Sequence, residues 1–174
     1  MAILSGKSIR DRIAKGDIVV RGVEEPSIGV ASLDIHLGDR FTEFRYTANP
    51  VIDIKEYKNP TRYEKMLPDG RMEIRHDYTT EYVGQDPYII YPQDPTLCTT
   101  KEYLKLPDDI IGRFYLKSTL TKIGVMFESA ASWSGVLTPG FEGDFQFPIV
   151  YNGRLPVRIY PGMVIGEVFF EKIE

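Results

Sequence analysis

Lys117, Ser118 and Thr119, with Lys122 a few positions on, are residue types that hold a polyphosphate. The two hydroxyls donate to phosphate oxygens, and the two ammonium groups supply charge. The pair Ser118-Thr119 follows an apolar run, Ile110 to Leu116. A loop leaving such a strand can turn backbone N–H groups toward an anion. Alone, the cluster also fits an ordinary solvated turn. Gly6-Lys7-Ser8 matches the end of a phosphate-binding P-loop, but a P-loop needs another glycine five residues upstream and a strand before it, and Met1 stands there. Helix capping explains those residues better.

Other chemistries are limited by what the chain lacks. Zinc-assisted deamination uses three His or Cys ligands, typically H-x-E followed by P-C-x-x-C. Only His36, His76 and Cys98 are present, so that route is excluded. A Ser–His–Asp or Cys–His hydrolase stays open on sequence grounds, although neither histidine stands in a recognisable setting and each reads as structural. Asp34 and His36 fall on one face of the strand Ser32–Leu37, opposite Leu33, Ile35 and Leu37. Glu142, between Gly140 and Gly143, reads as an exposed turn carboxylate.

The elements that must position these residues come from a chain of 174 residues, 43% hydrophobic and 26% charged. That is an ordinary globular composition, and one domain spanning residues 1–174 is expected. The net charge of −4 argues against a broad nucleic-acid surface, so an anion site has to be a local basic patch. Cys98 is the single cysteine, which rules out an intrachain disulfide and suits a reducing compartment. No apolar run approaches the roughly 18 residues of a membrane span. The N-terminus turns polar too early for a signal peptide. A cytoplasmic protein that binds neither membrane nor nucleic acid is expected.

Ser5 to Gly16 reads as the one helix, with Ser5 as N-cap, Ile9 and Ile13 on one face and Gly16 as C-cap. Beyond it the pattern is β. Ser32–Leu37 alternates polar and apolar residues, and Phe41–Tyr46 is aromatic and β-branched. Residues 55–86 form a polar, Tyr-rich excursion of short strands with a hairpin turn at Pro68-Asp69-Gly70. From Pro87 onward, strands are expected at Tyr88–Tyr91, Thr96–Thr100, Ile110–Leu116, Val125–Glu128, Gly143–Tyr151, Val157–Tyr160 and Val164–Glu171. That spacing predicts an all-β, jelly-roll-like barrel with one short N-terminal helix.

Several ordered blocks then resemble the dCTP deaminase/dUTPase family. Ala31-Ser32-Leu33-Asp34-Ile35-His36-Leu37-Gly38 is similar to the family's A-S/T-x-D-I/V/L-R-L-G strand, with His36 in place of Arg. Pro92 through Pro107 resembles P-x-x-x-x-L-x-x-T-x-E-x-x-x-L-P. Lys117 to Gly124 aligns with the phosphate loop R-S-S-L-x-R-x-G. Pro139-Gly140-Phe141-Glu142-Gly143 matches P-G-F/W-x-G, and Leu155-Pro156 and Pro161-Gly162-Met163-Val164-Ile165-Gly166 match the closing elements. The resemblance runs from Leu4 to Glu171. It implies a dUTPase-like β-clip fold and a homotrimer with sites between subunits. The implied ligand is a deoxynucleoside triphosphate, dCTP or a related pyrimidine, carrying Mg²⁺ on its phosphates; no metal is held by the protein itself. The implied reaction is zinc-independent deamination of dCTP to dUTP. A carboxylate on the strand after P-G-F/W-x-G would shuttle protons for the water that attacks C4. Lys117, Ser118, Thr119 and Lys122 would hold phosphates, and Ala131, Trp133 and Gln146 would line the base pocket.

The departures bear on activity. Counting from Pro139-Gly140, the family's catalytic Glu falls at Pro148, or at Ile149 with a one-residue shift. The Asp preceding P-G, used for triphosphate hydrolysis, is Thr138. The phosphate-loop Arg is Lys122. Ser134-Gly135-Val136 is an apparent insertion beside the base pocket. The sequence ends at Glu174, before the family's C-terminal segment that folds over the nucleotide. Gln146 should share a face with Pro148 and can orient a water. Asp144 is expected to point the other way. Glu128, on another strand, is the carboxylate left as a candidate base. Three readings follow: a diverged dCTP deaminase using Glu128, a catalytically silent nucleotide-binding trimer, and a structural or protein-binding trimer.

Overall fold

A computed structural model describes residues 2–44, 51, 63–75, 78–127 and 135–173. The chain begins with β1 (Ala2–Ile3) and α1 (Gly6–Lys15). Ser5 Oγ accepts the Ser8 N–H at 3.2 Å and caps the helix. Gly16, at φ 79°, closes it in the left-handed region. Gly6 is glycine for a steric reason: its N–H reaches Val30 O at 2.5 Å, and a Cβ there would overlap the Gly29 carbonyl. This accounts for the P-loop-like tripeptide without a ligand. Ile9 is buried, and Arg12 grips Asp109 with two bonds of 3.1 and 2.8 Å, tying the helix to the sheet.

The strands that follow are β2 (Val19–Arg21), β3 (Ser32–Phe44), β4 (Tyr63–Met66), β5 (Met72–Arg75), β6 (Thr79–Val83), β7 (Tyr88–Ile90), β8 (Thr96–Thr100) and β9 (Tyr103–Lys105). After them come β10 (Ile110–Leu116), the short helix α2 (Ser118–Lys122), β11 (Val125–Met126), β12 (Val136–Leu137), β13 (Glu142–Gly143), β14 (Gln146–Tyr151), β15 (Val157–Ile159) and β16 (Val164–Lys172). The main sheet runs β11-β14-β8-β3-β16-β10-β12, with β1 on β16 and the β4-β5-β6 meander on β3. The strands β13-β9-β2 and β15-β7 form two small sheets. All pairings are antiparallel. This is the expected all-β, jelly-roll-like fold.

Three local differences have physical causes. The expected strands Ser32–Leu37 and Phe41–Tyr46 are one 13-residue strand up to Phe44. Leu37 to Phe41 crosses a register shift against β8, and the strand bends there without ending. Gly38 sits at that bend against Thr99, where no side chain fits. The expected strand Gly143–Tyr151 breaks into β13 and β14, because Phe145 N–H donates to Thr100 Oγ at 3.2 Å in place of a ladder carbonyl. Lys117–Gly124, read as a loop, contains α2, so the described residues hold two short helices. The hairpin at Pro68-Asp69-Gly70 is present, with Gly70 at φ 86° and Asp69 accepting the Arg71 N–H at 3.1 Å. The described part of the excursion joins the main sheet through β6 on β3.

The core lies inside the curved sheet. Phe114 packs against Phe145 and Phe147 with ring centroids 5.2 and 5.0 Å apart, and Leu33, Ile35, Leu37, Val168 and Phe170 complete it at 0% exposure. Truncating one of these phenylalanines costs about 3–5 kcal/mol.

Candidate functional site

β10 delivers Lys117 to the start of α2. The Lys117 N–H donates to Ile165 O at 3.0 Å, and its carbonyl accepts the Leu120 N–H at 3.0 Å. Leu120 is buried and anchors the segment, while Ser118, Thr119, Thr121 and Lys122 face solvent. The Gly124 N–H reaches Thr121 O at 3.1 Å, and Gly124 at φ 94° turns the chain into β11. Sequence-predicted Ser118, Thr119 and Lys122 therefore share one exposed turn, open to an anion.

Lys117 does something the sequence did not disclose. Its Nζ lies 2.7 Å from Asp34 and 3.4 Å from Glu167. Asp34 and Glu167 are direct partners in the β3–β16 ladder. Like charges placed opposite each other destabilise a sheet, and the ammonium between them relieves that. Ser27 donates to Asp34 and Ser32 to Glu167, each at 2.7 Å. Burial pushes the Asp34 carboxyl up, but the bonds from Lys117 and Ser27 outweigh it and hold the group below its usual value. Burial likewise lowers Lys117, and Asp34 with Glu167 outweigh it, holding the ammonium above its usual value. Asp34 and Lys117 therefore both stay charged at neutral pH. A sequence signal existed only in the alternation that put Asp34 on the polar face; its cross-strand partner depends on register.

On β14, Gln146 pairs with Thr99 and Pro148 with Leu97. Gln146 is exposed, Phe147 buried, Pro148 half-buried and Ile149 buried, so Gln146 and Pro148 share the outward face as expected. The ladder from β11 covers only Val150 and Tyr151. Pro148, which has no N–H, sits beyond that ladder, at the kind of unpaired position a strand proline requires. Asp144 corrects an expectation: it is exposed, Phe145 is buried and Gln146 is exposed. Asp144 lies in the break before β14 and is solvent-exposed like Gln146. It is paired with Arg40. A polar cleft of about 400 Å³ opens beside it, lined by Gly38, Arg40, Thr99, Lys101 and Pro161 among others. Thr138 is exposed and its carbonyl accepts the Phe141 N–H at 3.0 Å, closing the turn at Gly140.

β11, which follows α2, meets the Tyr151 end of β14, whereas Gln146 stands at the other end, some 16 Å away at about 3.3 Å per residue. One chain therefore does not bring Gln146 to the Ser118–Lys122 turn. Glu128, Ala131 and Trp133, and also His76, lie outside the described residues. Glu142 is exposed as expected but stands on strand β13 instead of in a turn, opposite Lys105 of β9, with which it pairs at 2.9 Å. His36 is structural: its Nδ1 and its backbone N–H meet the two oxygens of buried Glu102 at 2.5 and 2.8 Å. Among the described residues no three His, Cys, Asp or Glu side chains cluster to hold a metal ion, and no helix is long and apolar enough to cross a membrane.

Comparison with known proteins agrees with the motif order. A sequence profile described as dCTP deaminase-like matches residues 3–173. The chain is 33% identical over 174 residues to "dCTP deaminase, dUMP-forming" of Methanobrevibacter smithii, covering 98% of this chain and 80% of that protein. It is 34% identical over 173 residues to the protein of the same name from Methanosphaera stadtmanae, covering 98% and 79%. The crystal structure of 2'-deoxycytidine 5'-triphosphate deaminase from Agrobacterium tumefaciens superposes with a TM-score of 0.66 at 18% identity. That match covers 99% of this chain and 46% of the other, so this chain spans about half of that structure's length. The fold is thus of the β-clip kind found in dCTP deaminases. From residue 3 to residue 173, this chain belongs to the dCTP deaminase-like family.

Proposed function

We propose that the chain acts in deoxynucleotide metabolism as a dCTP deaminase-like homotrimer that binds dCTP or a related pyrimidine deoxynucleoside triphosphate between subunits. The observation that carries this reading is the exposed turn of Ser118, Thr119 and Lys122, set at the family's phosphate-loop position. Its separation from Gln146 within one chain suits a site completed by a neighbouring copy. Mg²⁺ would arrive on the nucleotide phosphates and neutralise their charge. The chemistry proposed is zinc-independent deamination at C4, with Glu128 as the group that moves protons, Gln146 orienting the water, and Ala131 and Trp133 walling the base pocket.

A second reading, a nucleotide-binding trimer without turnover, is favoured by Pro148. The residue at the family's catalytic position cannot transfer a proton, and Thr138 supplies no carboxylate for triphosphate hydrolysis. Incubating purified protein with dCTP and Mg²⁺ and separating dCTP, dUTP and dUMP by chromatography decides between the two. Product that disappears in Glu128→Ala establishes the first reading. Calorimetric dCTP binding with no product establishes the second. Absence of binding sinks both, and a monomer in light scattering removes the intersubunit site.

A further inference from the structure

We infer that Asp34 and Glu167 set the anion affinity of the α2 turn. They hold Lys117 as a strut, so that a polyphosphate is taken by Lys122, Ser118 and Thr119 and repelled by the surplus carboxylate, Glu167. The inference rests on the reading of that turn as a triphosphate site.

The geometry gives Lys117 little freedom to serve as a ligand. Its ammonium nitrogen lies between Asp34 and Glu167, at 2.7 and 3.4 Å. Its backbone N–H is fixed on Ile165 O at 3.0 Å. Hydroxyls of Ser27 and Ser32 hold the two carboxylates in place. The side chain keeps 30% exposure, so an anion approaching Nζ meets both carboxylates as well. One positive and two negative charges leave the cluster at −1. Lys122 differs: it is exposed and makes no ion pair among the described residues.

Of the two carboxylates, Asp34 is the closer partner of Lys117, and Glu167 is in excess. At a separation on the order of 10 Å in water, one surplus charge weakens the binding of a triphosphate of charge about −3 by about five- to tenfold at low salt, and less once salt screens it. Glu167→Gln removes that charge and keeps an oxygen to accept the Ser32 hydroxyl. Glu167 thereby acts on affinity and on discrimination by phosphate number, and never needs to touch the nucleotide.

The test titrates inorganic tripolyphosphate, dCTP and dCMP calorimetrically into wild type, Glu167→Gln, Lys122→Ala and the double variant Lys117→Met/Glu167→Gln, each checked by thermal melt. Expected for Glu167→Gln is about five- to tenfold tighter tripolyphosphate and dCTP, a smaller gain for dCMP, and a gain that fades with added salt. The double variant leaves Asp34 alone, restoring the wild-type cluster charge of −1. It binds like wild type if Lys117 is a strut, and loses binding if Lys117 is a ligand. Binding by Glu167→Gln alone, with none in wild type, also supports the inference. Unchanged or weaker binding in Glu167→Gln, with wild-type binding lost in Lys122→Ala, overturns the inference and leaves the triphosphate site standing. Binding by no variant overturns both.

Discussion

His36 closes over the carboxylate of Glu102, a side chain with 1% exposure, through Nδ1 at 2.5 Å and through its own backbone N–H at 2.8 Å. The Lys101 N–H returns to His36 O at 2.9 Å, locking the β8–β9 connection onto β3. Removing one partner of a buried pair leaves the other stranded. His36→Ala is therefore expected to lower stability by about 2–4 kcal/mol in urea unfolding. His36→Arg, which restores a cation at the family's position, is expected to lose less than half of that. Equal loss in both variants would show that the imidazole packs there without serving the carboxylate.

The sequence disclosed what depends on neighbours along the chain and concealed what depends on register. Ser5 and Gly16 mark the ends of α1 because capping is local. The outward face of Asp34 and His36, and the shared face of Gln146 and Pro148, follow from alternation alone. The Asp34–Glu167 pairing was hidden because nothing local says which residue of β16 lies opposite β3. The strands β2, β9 and β12 went unseen for a related reason: each is two or three residues long, too short for a periodic signal, and exists through its partners. The residue types of Lys117–Lys122 suggested four phosphate ligands; three of them face solvent, and Lys117, half-buried, also pairs with Asp34 and Glu167 of the ladder.

The Arg12–Asp109 pair carries a pH dependence. The two bonds from Arg12 hold the Asp109 carboxyl below its usual value. A carboxyl with a depressed folded pKa contributes stability above its unfolded value, about 3.9, and loses it as pH falls through the folded value. Asp109 is 40% exposed at its side chain, so solvent screening limits the effect to about 0.5–1 kcal/mol. Asp109→Asn should be less stable than wild type by that amount at pH 7, and the gap should close in acid. A gap that persists at pH 2 would mean that shape, and not charge, makes the contact.

Lys122 is expected to carry the salt dependence of nucleotide binding. It is exposed and supplies point charge without a bidentate fork. Lys122→Ala should weaken dCTP binding about tenfold at low salt, and the logarithm of affinity should fall less steeply with added salt. Lys122→Arg should bind at least as well as wild type, since a guanidinium fork matches phosphate oxygens. Equal salt dependence in wild type and Lys122→Ala would place the phosphates elsewhere.

Pro148 gives the sharpest test of the chemistry. It stands on the outward face of β14, two residues from Gln146, beyond the ladder from β11. A non-proline residue fits there without breaking a bond, because the position donates no N–H in the native sheet. Restoring a proton shuttle is worth about 10²–10⁴ in rate. If wild type has no base of its own, Pro148→Glu is therefore expected to raise dCTP deamination by at least about a hundredfold over wild type, followed chromatographically as loss of dCTP with Mg²⁺ present. If Glu128 already supplies the base, wild type turns over, Glu128→Ala loses about 10²–10⁴, and Pro148→Glu recovers activity in that background. If Pro148→Glu folds, binds dCTP and stays silent with or without Glu128, the outward face of β14 does not address the base, and the transfer of the family's mechanism to this chain fails at that point.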